Sequence, residues 1–160
     1  MSFKESSVKI TELLRKEYIL EHLKAKNKEE VLAELAGVFT RGAIKFDSGA
    51  MLRILLEREK LGSTGIGDGI AIPHGKLAGL NEILVAFGRS RAGIAFEALD
   101  GKPVHLFFLL MAPENSAGQH LKVLAKISRM LKDGAFRKKL LEAQMHDDLV
   151  RVITEKDDEC

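Results

Sequence analysis

Two nearly continuous apolar segments constrain the fold of this chain more than any other feature of its sequence. They span Ile83–Phe87 and Val104–Met111, and they are bounded by Gly88, Pro103 and Pro113. An unbroken apolar run of this length is typical of a strand buried on both faces of a sheet, because a half-exposed strand alternates polar and apolar residues. The sequence therefore predicts a sheet that is covered on both faces.

Helical periodicity occupies much of the remaining chain. Asn27 and Glu30 resemble a capping box at the start of one helix, and the Asp47 carboxylate can accept from the free N–H groups that open a second. Beyond Pro113 the apolar spacing becomes helical again. The predicted helices span Lys28–Phe39, Asp47–Lys60, Gly118–Lys132, Ala135–Glu142 and Asp148–Thr154, and short strands are predicted at Ile19–Lys24 and Ile70–Ile72.

Alternating helices and buried strands predict an α/β fold. We expect residues 1–160 to form a single domain, with a central mixed β-sheet flanked by helices on both faces. No linker, repeat or low-complexity segment suggests a domain boundary. The domain core is expected to cover about residues 5–155, followed by a short acidic C-terminal tail.

Composition and charge narrow the class of protein. Hydrophobic residues make up 46% of the 160 residues and charged residues 30%, which favours a soluble globular protein over a disordered one. The formal net charge of +2 is too small to indicate a nucleic-acid partner. There is no signal peptide and no apolar stretch near the ~20 residues of a membrane helix. Cys160, the lone cysteine, cannot form an internal disulfide, so we expect a cytoplasmic protein that is not embedded in a membrane.

Residues 62–76 concentrate unusual backbone around one titratable side chain, His74. Glycines permit positive φ angles and let backbone N–H groups surround an anion, and Pro73 fixes the approach of the chain. We expect this turn to present His74 to a partner. A neutral imidazole can act as a nucleophile, and phosphoryl transfer demands little beyond placement and charge stabilisation. The alternative is a surface-loop histidine without chemistry.

His120 and Arg58 are candidates to stabilise an anion beside His74. His120 lies in the first turn of the predicted Gly118–Lys132 helix, where the helix dipole attracts negative charge. Arg58 lies near the end of the second helix and could direct its planar donors at phosphate oxygens. The alternatives are a histidine that only packs at the helix edge and an arginine that covers apolar surface while capping its helix.

The other histidines and the glycine pattern suggest no second site. His105 is expected in the core or at the sheet edge, and His22 and His146 are expected to be solvated. The glycines at 65, 67 and 69 do not match the spacing of a dinucleotide loop, and Leu77 stands where a phosphate-binding loop needs Ser or Thr. Metal-ligand spacings are also missing, so neither a metal nor a cofactor is predicted.

The stretch at residues 62–76 resembles the phosphorylation-site signature of the fructose/mannitol-type (type 2) enzyme IIA domains of the bacterial phosphotransferase system. The run 58–67 is most similar to the nitrogen-regulatory branch, and the similarity extends roughly over residues 5–155, through 94–100, 103–104 and 120–121. The matching signature residues are Glu59, Ile66, Gly67, Ile70, Ala71, Ile72, Pro73, His74 and Gly75.

The resemblance implies a cytoplasmic phosphoryl-relay protein and phosphotransferase component, not a nucleotide-dependent kinase. His74 would accept a phosphoryl group on Nε2 (tele-phosphohistidine) from an HPr-like carrier or its nitrogen-system paralogue NPr. His120 and Arg58 would assist, whereas Glu59 would orient or support because a carboxylate repels a phosphoryl group. A regulatory (nitrogen-type) role acting on target proteins is favoured. The alternatives are a sugar-specific IIA that passes phosphate to a IIB domain, and a binding module that needs no phosphorylation.

Overall fold

The structure, a computed structural model, describes residues 8–42 and 46–160. No helix in these two ranges is both long enough and apolar enough to cross a bilayer. The α-helices are α1 (Lys28–Gly37), α2 (Ser48–Lys60), α3 (Gln119–Lys132), α4 (Gly134–Glu142) and α5 (His146–Glu159). The strands are β1 (Ile19–Leu20), β2 (Gly65–Gly67), β3 (Ile70–Ala71), β4 (His74–Leu77), β5 (Leu84–Ile94) and β6 (Val104–Pro113).

One mixed sheet contains all of these strands. The long strands β5 and β6 pair antiparallel at its centre, and β1 runs parallel to β5 on the far side. Both β3 and β4 run parallel to β6, one after the other along its length, and β2 pairs antiparallel with β3. The prediction of a central mixed β-sheet is confirmed.

Two neighbouring residues of β5 show that helices cover both faces of the sheet. Successive side chains of a strand point to opposite faces. A Cβ on Gly88 would lie 2.9 Å from the Leu35 side chain of α1. The next residue, Arg89, reaches the opposite layer, where its Nη1 donates to the Leu140 carbonyl of α4 at 2.9 Å. The two-sided cover predicted from the apolar runs is therefore confirmed.

Both central strands are longer than their apolar runs. The predicted strand Ile83–Phe87 continues to Ile94, because Gly88 does not end it. Glycine is needed at this position since Leu23 would lie within 2.9 Å of any Cβ there. The predicted strand Val104–Met111 likewise extends to Pro113, which pairs with the end of β4.

The edge strand and the first helix are shorter than predicted. Only two residues of Ile19–Lys24 pair as β1, because the Glu34 carboxylate accepts from the Lys24 N–H at 3.0 Å and so satisfies that donor outside the sheet. Helix α1 ends at Gly37 and tightens into a 3₁₀ turn at Val38–Arg41, so the prediction of a helix to residue 39 was too long.

A side-chain cap starts α2 as predicted, α4 also begins with one, and the capping box predicted for α1 forms only in part. The Asp47 carboxylate accepts from the Ala50 N–H at 3.0 Å and opens α2, and Asp133 opens α4 in the same manner. Asn27 accepts from the Glu30 N–H at 2.9 Å, but the Glu30 carboxylate bonds to the Lys26 N–H instead of completing the capping box.

The acidic C-terminal residues form part of the last helix, which corrects the predicted tail. Helix α5 runs to Glu159, whereas the sequence pattern predicted a helix over Asp148–Thr154 only. Asp157 is fully buried and lies 2.6 Å from the Lys126 ammonium group. Its carboxylate also accepts from the Ile10 and Thr11 N–H groups. The core therefore extends beyond residue 155 because this helix anchors the N-terminal segment.

Candidate functional site

His74 is the first residue of β4, and the prediction that it lies on an exposed turn was wrong. It pairs in register with Leu110 of β6, and the Leu110 N–H donates to the Pro73 carbonyl at 3.0 Å. The side chain is half-buried. The ring is consequently carried by the sheet rather than by a flexible loop.

One hydrogen bond fixes the chemistry of the two His74 ring nitrogens. Nδ1 lies 2.8 Å from the Ile72 carbonyl oxygen. A carbonyl oxygen can only accept, so Nδ1 must carry the proton of this bond. In the neutral ring, Nε2 then holds the free electron pair and is the nitrogen available as a nucleophile.

A cleft of about 340 Å³ brings together the three side chains that the sequence singled out. Its walls come from the C-terminal half of α2, the start of β4 and the first turn of α3. A larger cleft of about 510 Å³ lies between Leu80 and Gln119, but it contains no histidine. The lining residues of the smaller cleft are Ile54, Glu57, Arg58, Leu61, His74, Gly75, Lys76, Leu110 and His120.

His120 faces this cleft from the first turn of α3. Its Nδ1 lies 2.7 Å from the Ser116 hydroxyl. Burial, followed by the charges of Lys76 and His74, lowers the pKa of His120 below its ordinary value. No acidic residue lies in the first turn of α3, and no side chain caps that turn. The positive end of the helix dipole is therefore left available to an anion in the cleft.

Arg58 reaches the same cleft from the last turn of α2. Its Nη1 donates to the Gly62 carbonyl at 3.0 Å, so the guanidinium group also holds the start of the glycine-rich stretch. The bond to Gly62 fits the alternative in which Arg58 caps its helix, and the position in the cleft fits the alternative in which Arg58 faces an anion. The one hydrogen bond leaves further guanidinium N–H groups for an anion.

Lys76 also lines the cleft, and the sequence reasoning missed it. It stands two positions after His74 on the same strand, and residues two apart share one face of a strand. The Lys76 side chain is exposed and forms no ion pair with any carboxylate of residues 8–42 and 46–160. This period of two was the available signal, but it required β4 to be predicted as a strand.

The glycine-rich stretch serves packing rather than forming an open cradle. β2 and β3 make a hairpin whose turn contains Asp68 and Gly69 at positive φ angles. At the cleft, a Cβ on Gly75 would lie only 2.6 Å from the Ile54 Cγ2 of α2. Glycine at position 75 therefore lets α2 approach the strand that carries His74.

The remaining histidines lie away from this cleft. His105 is half-buried on β6, an inner strand, rather than in the core or at the sheet edge as expected, and its Nδ1 lies 2.9 Å from the Ser90 carbonyl. His22 is exposed, as predicted, but His146 is not simply solvated, because its Nε2 lies 2.9 Å from the Lys16 carbonyl. Across the described ranges, no three His, Cys, Asp or Glu side chains are grouped so that they could hold a metal ion.

The chain matches a known family model and several known proteins. Residues 12–156 match the family described as "Phosphoenolpyruvate-dependent sugar phosphotransferase system, EIIA 2". The chain is 47% identical over 131 residues to a nitrogen regulatory protein of Bradyrhizobium diazoefficiens, which covers 82% of this chain and 85% of that protein. It is 41% identical over 150 residues to the fructose-specific EIIABC component of Bacillus subtilis. That match covers 94% of this chain but only 24% of the longer Bacillus protein.

The fold is also similar to a solved structure. The crystal structure of nitrogen regulatory protein IIA-Ntr from Neisseria meningitidis superposes with a TM-score of 0.82 at 34% sequence identity. The match covers 91% of this chain and 99% of the Neisseria chain.

Proposed function

This chain belongs to the EIIA 2 family of the phosphoenolpyruvate-dependent sugar phosphotransferase system, and from that premise we propose that it is a cytoplasmic phosphoryl relay. His74 accepts the phosphoryl group on Nε2, and the donor is the phosphohistidine of a small HPr-like carrier. The single observation that carries the proposal is the 2.8 Å contact between His74 Nδ1 and the Ile72 carbonyl. It leaves Nε2 unprotonated in a cleft lined by basic groups.

The proposed transfer needs no proton to move. The Nε2 electron pair forms the new N–P bond while the N–P bond of the donor imidazole breaks, and the donor nitrogen keeps that electron pair. The positive charge of the donor's phosphorylated ring is thereby passed to the His74 ring. The Ile72 carbonyl, which already accepts from Nδ1, stabilises this charge.

Groups around the cleft stabilise the negative charge of the phosphoryl oxygens when the phosphoryl group approaches His74. Arg58 and Lys76 supply positive charge, and the start of α3 supplies its dipole. We propose that the Ser116 hydroxyl donates to Nδ1 of His120, so that Nε2–H of His120 donates to a phosphoryl oxygen. Glu57, the one carboxylate that lines the cleft, is paired with Lys60 at 2.9 Å.

Exposed apolar side chains beside the cleft support a protein donor rather than a small molecule. Leu61 lines the cleft with 84% of its surface exposed, and Leu121 follows His120 with 60% exposed. Exposed apolar surface next to a polar site is typical of a protein interface. We therefore place the carrier over these two leucines, with its phosphohistidine in the cleft.

A labelling experiment tests the acceptor. The protein is mixed with phosphoenolpyruvate, enzyme I and an HPr-like carrier, and the bound phosphoryl group is followed by intact mass. We expect one acid-labile, base-stable group on the wild type and on His22→Ala, which removes an exposed histidine outside the cleft. His74→Ala should take no label. Full labelling of His74→Ala would contradict the site, and a wild type that takes no label would favour the phosphorylation-independent binding module.

Regulation is the downstream role that we propose, through the phosphorylation state of His74. The nitrogen regulatory protein of Bradyrhizobium and the IIA-Ntr structure of Neisseria support this role, since each matches this chain over most of its own length. Phosphorylation adds about −1.5 to −2 charges, which can change the surface that a target protein accepts.

A sugar-transport role is the second candidate, because the fructose-specific Bacillus component is similar over nearly the whole of this chain. The phosphorylated protein is therefore incubated with a fructose-type IIB domain. Rapid and complete loss of the label to that domain would favour sugar transport. Retention of the label, combined with phosphorylation-dependent capture of a regulatory protein, would favour regulation.

A further inference from the structure

A line of hydrogen bonds leads from a buried carboxylate to the ring of His74. Glu59 lies in the last turn of α2 and is only 8% exposed. Its Oε1 accepts from the Thr64 N–H at 3.1 Å, and its Oε2 accepts from the Thr64 hydroxyl. The Thr64 carbonyl accepts from the Ile72 N–H at 3.1 Å. The Ile72 carbonyl in turn lies 2.8 Å from Nδ1 of His74.

The Glu59 carboxylate, which binds Thr64, is itself fixed by an ion pair with Lys28. Lys28, at the start of α1, places its ammonium group 3.3 Å from Oε1 of Glu59. The same ammonium group lies 3.1 Å from the Glu97 carboxylate and 4.8 Å from the centre of the Phe96 ring. A buried carboxylate with an ionic partner and two donors has little freedom to move.

The strand of His74 is anchored from two sides, and Glu59 secures only one of them. On one side, β6 binds the backbone through the Leu110 N–H and the Pro73 carbonyl, 3.0 Å apart. On the other side, the bond between Thr64 and Ile72 is the contact that continues the β2–β3 pairing toward the cleft. Loss of the second anchor would leave β4 paired but would free the Ile72 carbonyl that sets the ring.

We propose that Glu59 is a positioning residue that acts through Thr64 and Ile72 to hold the His74 ring with Nδ1 protonated and Nε2 free in the cleft. The inference rests on the proposed function, because it concerns how well the acceptor nitrogen is placed. It also gives a buried carboxylate near a phosphoryl site a task that avoids contact with the phosphoryl group. A ring displaced by about 1 Å can lose about 100-fold in rate.

Nearly isosteric variants separate this role from general support of the fold. Thr64→Val removes the hydroxyl donor, whereas Thr64→Ser keeps it. Glu59→Gln keeps the size of the side chain but removes its charge. Glu97→Gln is the matched control. It removes the exposed ion pair between Lys28 and Glu97 but leaves both hydrogen bonds between Glu59 and Thr64 in place.

The first measurement is the tautomer of His74, observed through its ring ¹⁵N signals by NMR at a pH where the ring is neutral. We expect protonated Nδ1 in the wild type, Thr64→Ser and Glu97→Gln, and a mixture of tautomers in Thr64→Val and Glu59→Gln. A wild-type ring protonated on Nε2 would overturn the inference. So would an unchanged tautomer in folded Thr64→Val and Glu59→Gln.

The second measurement is the rate of phosphoryl transfer, both from the carrier and from phosphoramidate, a small donor with a P–N bond. In Thr64→Val and Glu59→Gln the maximal rate should fall about 10- to 100-fold with either donor. The KM for the carrier should stay within about twofold, because the docking surface is unchanged. An unchanged maximal rate, or a loss confined to KM, would contradict the inference. If the wild type shows the expected tautomer but takes no phosphoryl group, the proposed function fails while the positioning of the ring stands.

Discussion

Two regions of this molecule concentrate charged side chains, but the charges are buried and paired in one region and face an open cleft in the other. At the C-terminal clamp, which consists of Lys126, Asp157 and the backbone at residues 8–11, the lysine and aspartate side chains are 3% and 0% exposed. Lys126 donates to the Val8 carbonyl, and Asp157 accepts from Ile10 and Thr11. At the His74 cleft, Arg58 and Lys76 have no carboxylate partner among the described residues, and the cleft is open.

The charges of the clamp stabilise the fold, whereas the basic groups of the cleft are available to bind an anion. A buried ion pair with every donor and acceptor satisfied fixes two segments against each other, but it attracts nothing from solution. Basic groups that stay unpaired around an opening keep their field for an anion that arrives later. On this comparison, substitutions at the clamp should affect stability, and substitutions at the cleft should affect phosphoryl transfer.

Removal of the clamp carboxylate should give the largest effect on stability. Asp157→Ala leaves the buried Lys126 ammonium group without its carboxylate partner, which costs about 3–5 kcal/mol. Asp158→Ala is the matched control, since the neighbouring carboxylate pairs with Lys9 at the surface, where solvent screens the pair, and its loss should change stability far less. Urea unfolding of both variants measures the difference. Equal losses in the two variants would break the distinction between the clamp and an ordinary surface pair.

The same clamp should make stability fall with acid. Burial alone would raise the pKa of Asp157, but its bonds with Lys126, Ile10 and Thr11 outweigh burial and hold that pKa below its ordinary value. The stabilising contribution is therefore present above about pH 4 and is lost as the pH falls through the lowered pKa. Asp157→Ala should flatten this part of the profile of unfolding free energy against pH. A profile as steep as that of the wild type would contradict the assignment.

Close packing behind His74 should give the next largest effect. Gly75→Ala places a methyl group against the Ile54 Cγ2 of α2, which a Cβ at position 75 would approach to 2.6 Å. Overpacking of this kind costs about 1–3 kcal/mol, and it should also displace β4 and slow labelling. Gly37→Ala is the control, since no atom lies within 4 Å of a Cβ there and the backbone already has a helical φ of −63°. The double variant Ile54→Ala with Gly75→Ala, which removes Cγ2, should recover labelling only if the contact itself is the cause.

Loss of the unpaired cation at the cleft should affect transfer more than stability. Lys76→Gln should slow phosphoryl transfer about tenfold, equivalent to about 1.4 kcal/mol in the barrier, and should leave urea unfolding nearly unchanged. Lys122→Gln is the control, because Lys122 is exposed and lies outside the cleft. Equal slowing by both variants would mean that the general surface charge matters, and not the cation beside His74.

The sequence predicted the residues of the cleft better than the backbone that carries them. His74 and His120 could be identified because a proline–histidine–glycine segment and a helix start leave local patterns. β4 left no such pattern, since its pairing with β6 joins residues that are 36 apart in the chain. Without that strand, the shared face of His74 and Lys76 could not be recognised, and the lysine was missed.

Tertiary contacts also explain where the predicted ends of elements were wrong. The run of charges around Asp157 is typical of a solvated tail, and its burial depends on Lys126, which lies 31 residues earlier. Gly88 is an ordinary strand breaker in local terms, yet it pairs with Phe107 within β5, and glycine is needed there because Leu23 and Leu35 occupy the space of a side chain. In both cases the deciding partner lies far away in sequence.

The smallest expected effect is a shift in the titration of His120. Burial is the main cause of its lowered pKa, and the charges of Lys76 and His74 add to it. Removal of one cation by Lys76→Gln should therefore raise the pKa of His120, but leave it below about 6.5 because the burial remains. Lys122→Gln, on the same helix but outside the cleft, should shift it less.

NMR titration of the His120 ring in the three proteins measures these shifts. Since the folded pKa lies below the unfolded value, the ring resists protonation in the folded protein, and His120 contributes a loss of stability as the pH falls through the unfolded value. A wild-type His120 pKa at or above about 6.5 would contradict the lowered pKa. An equal shift in Lys122→Gln would show that the charge of Lys76 has no special effect on His120. The clamp offers the opposite case, because there the charge of Lys126 is already matched by a carboxylate 2.6 Å away.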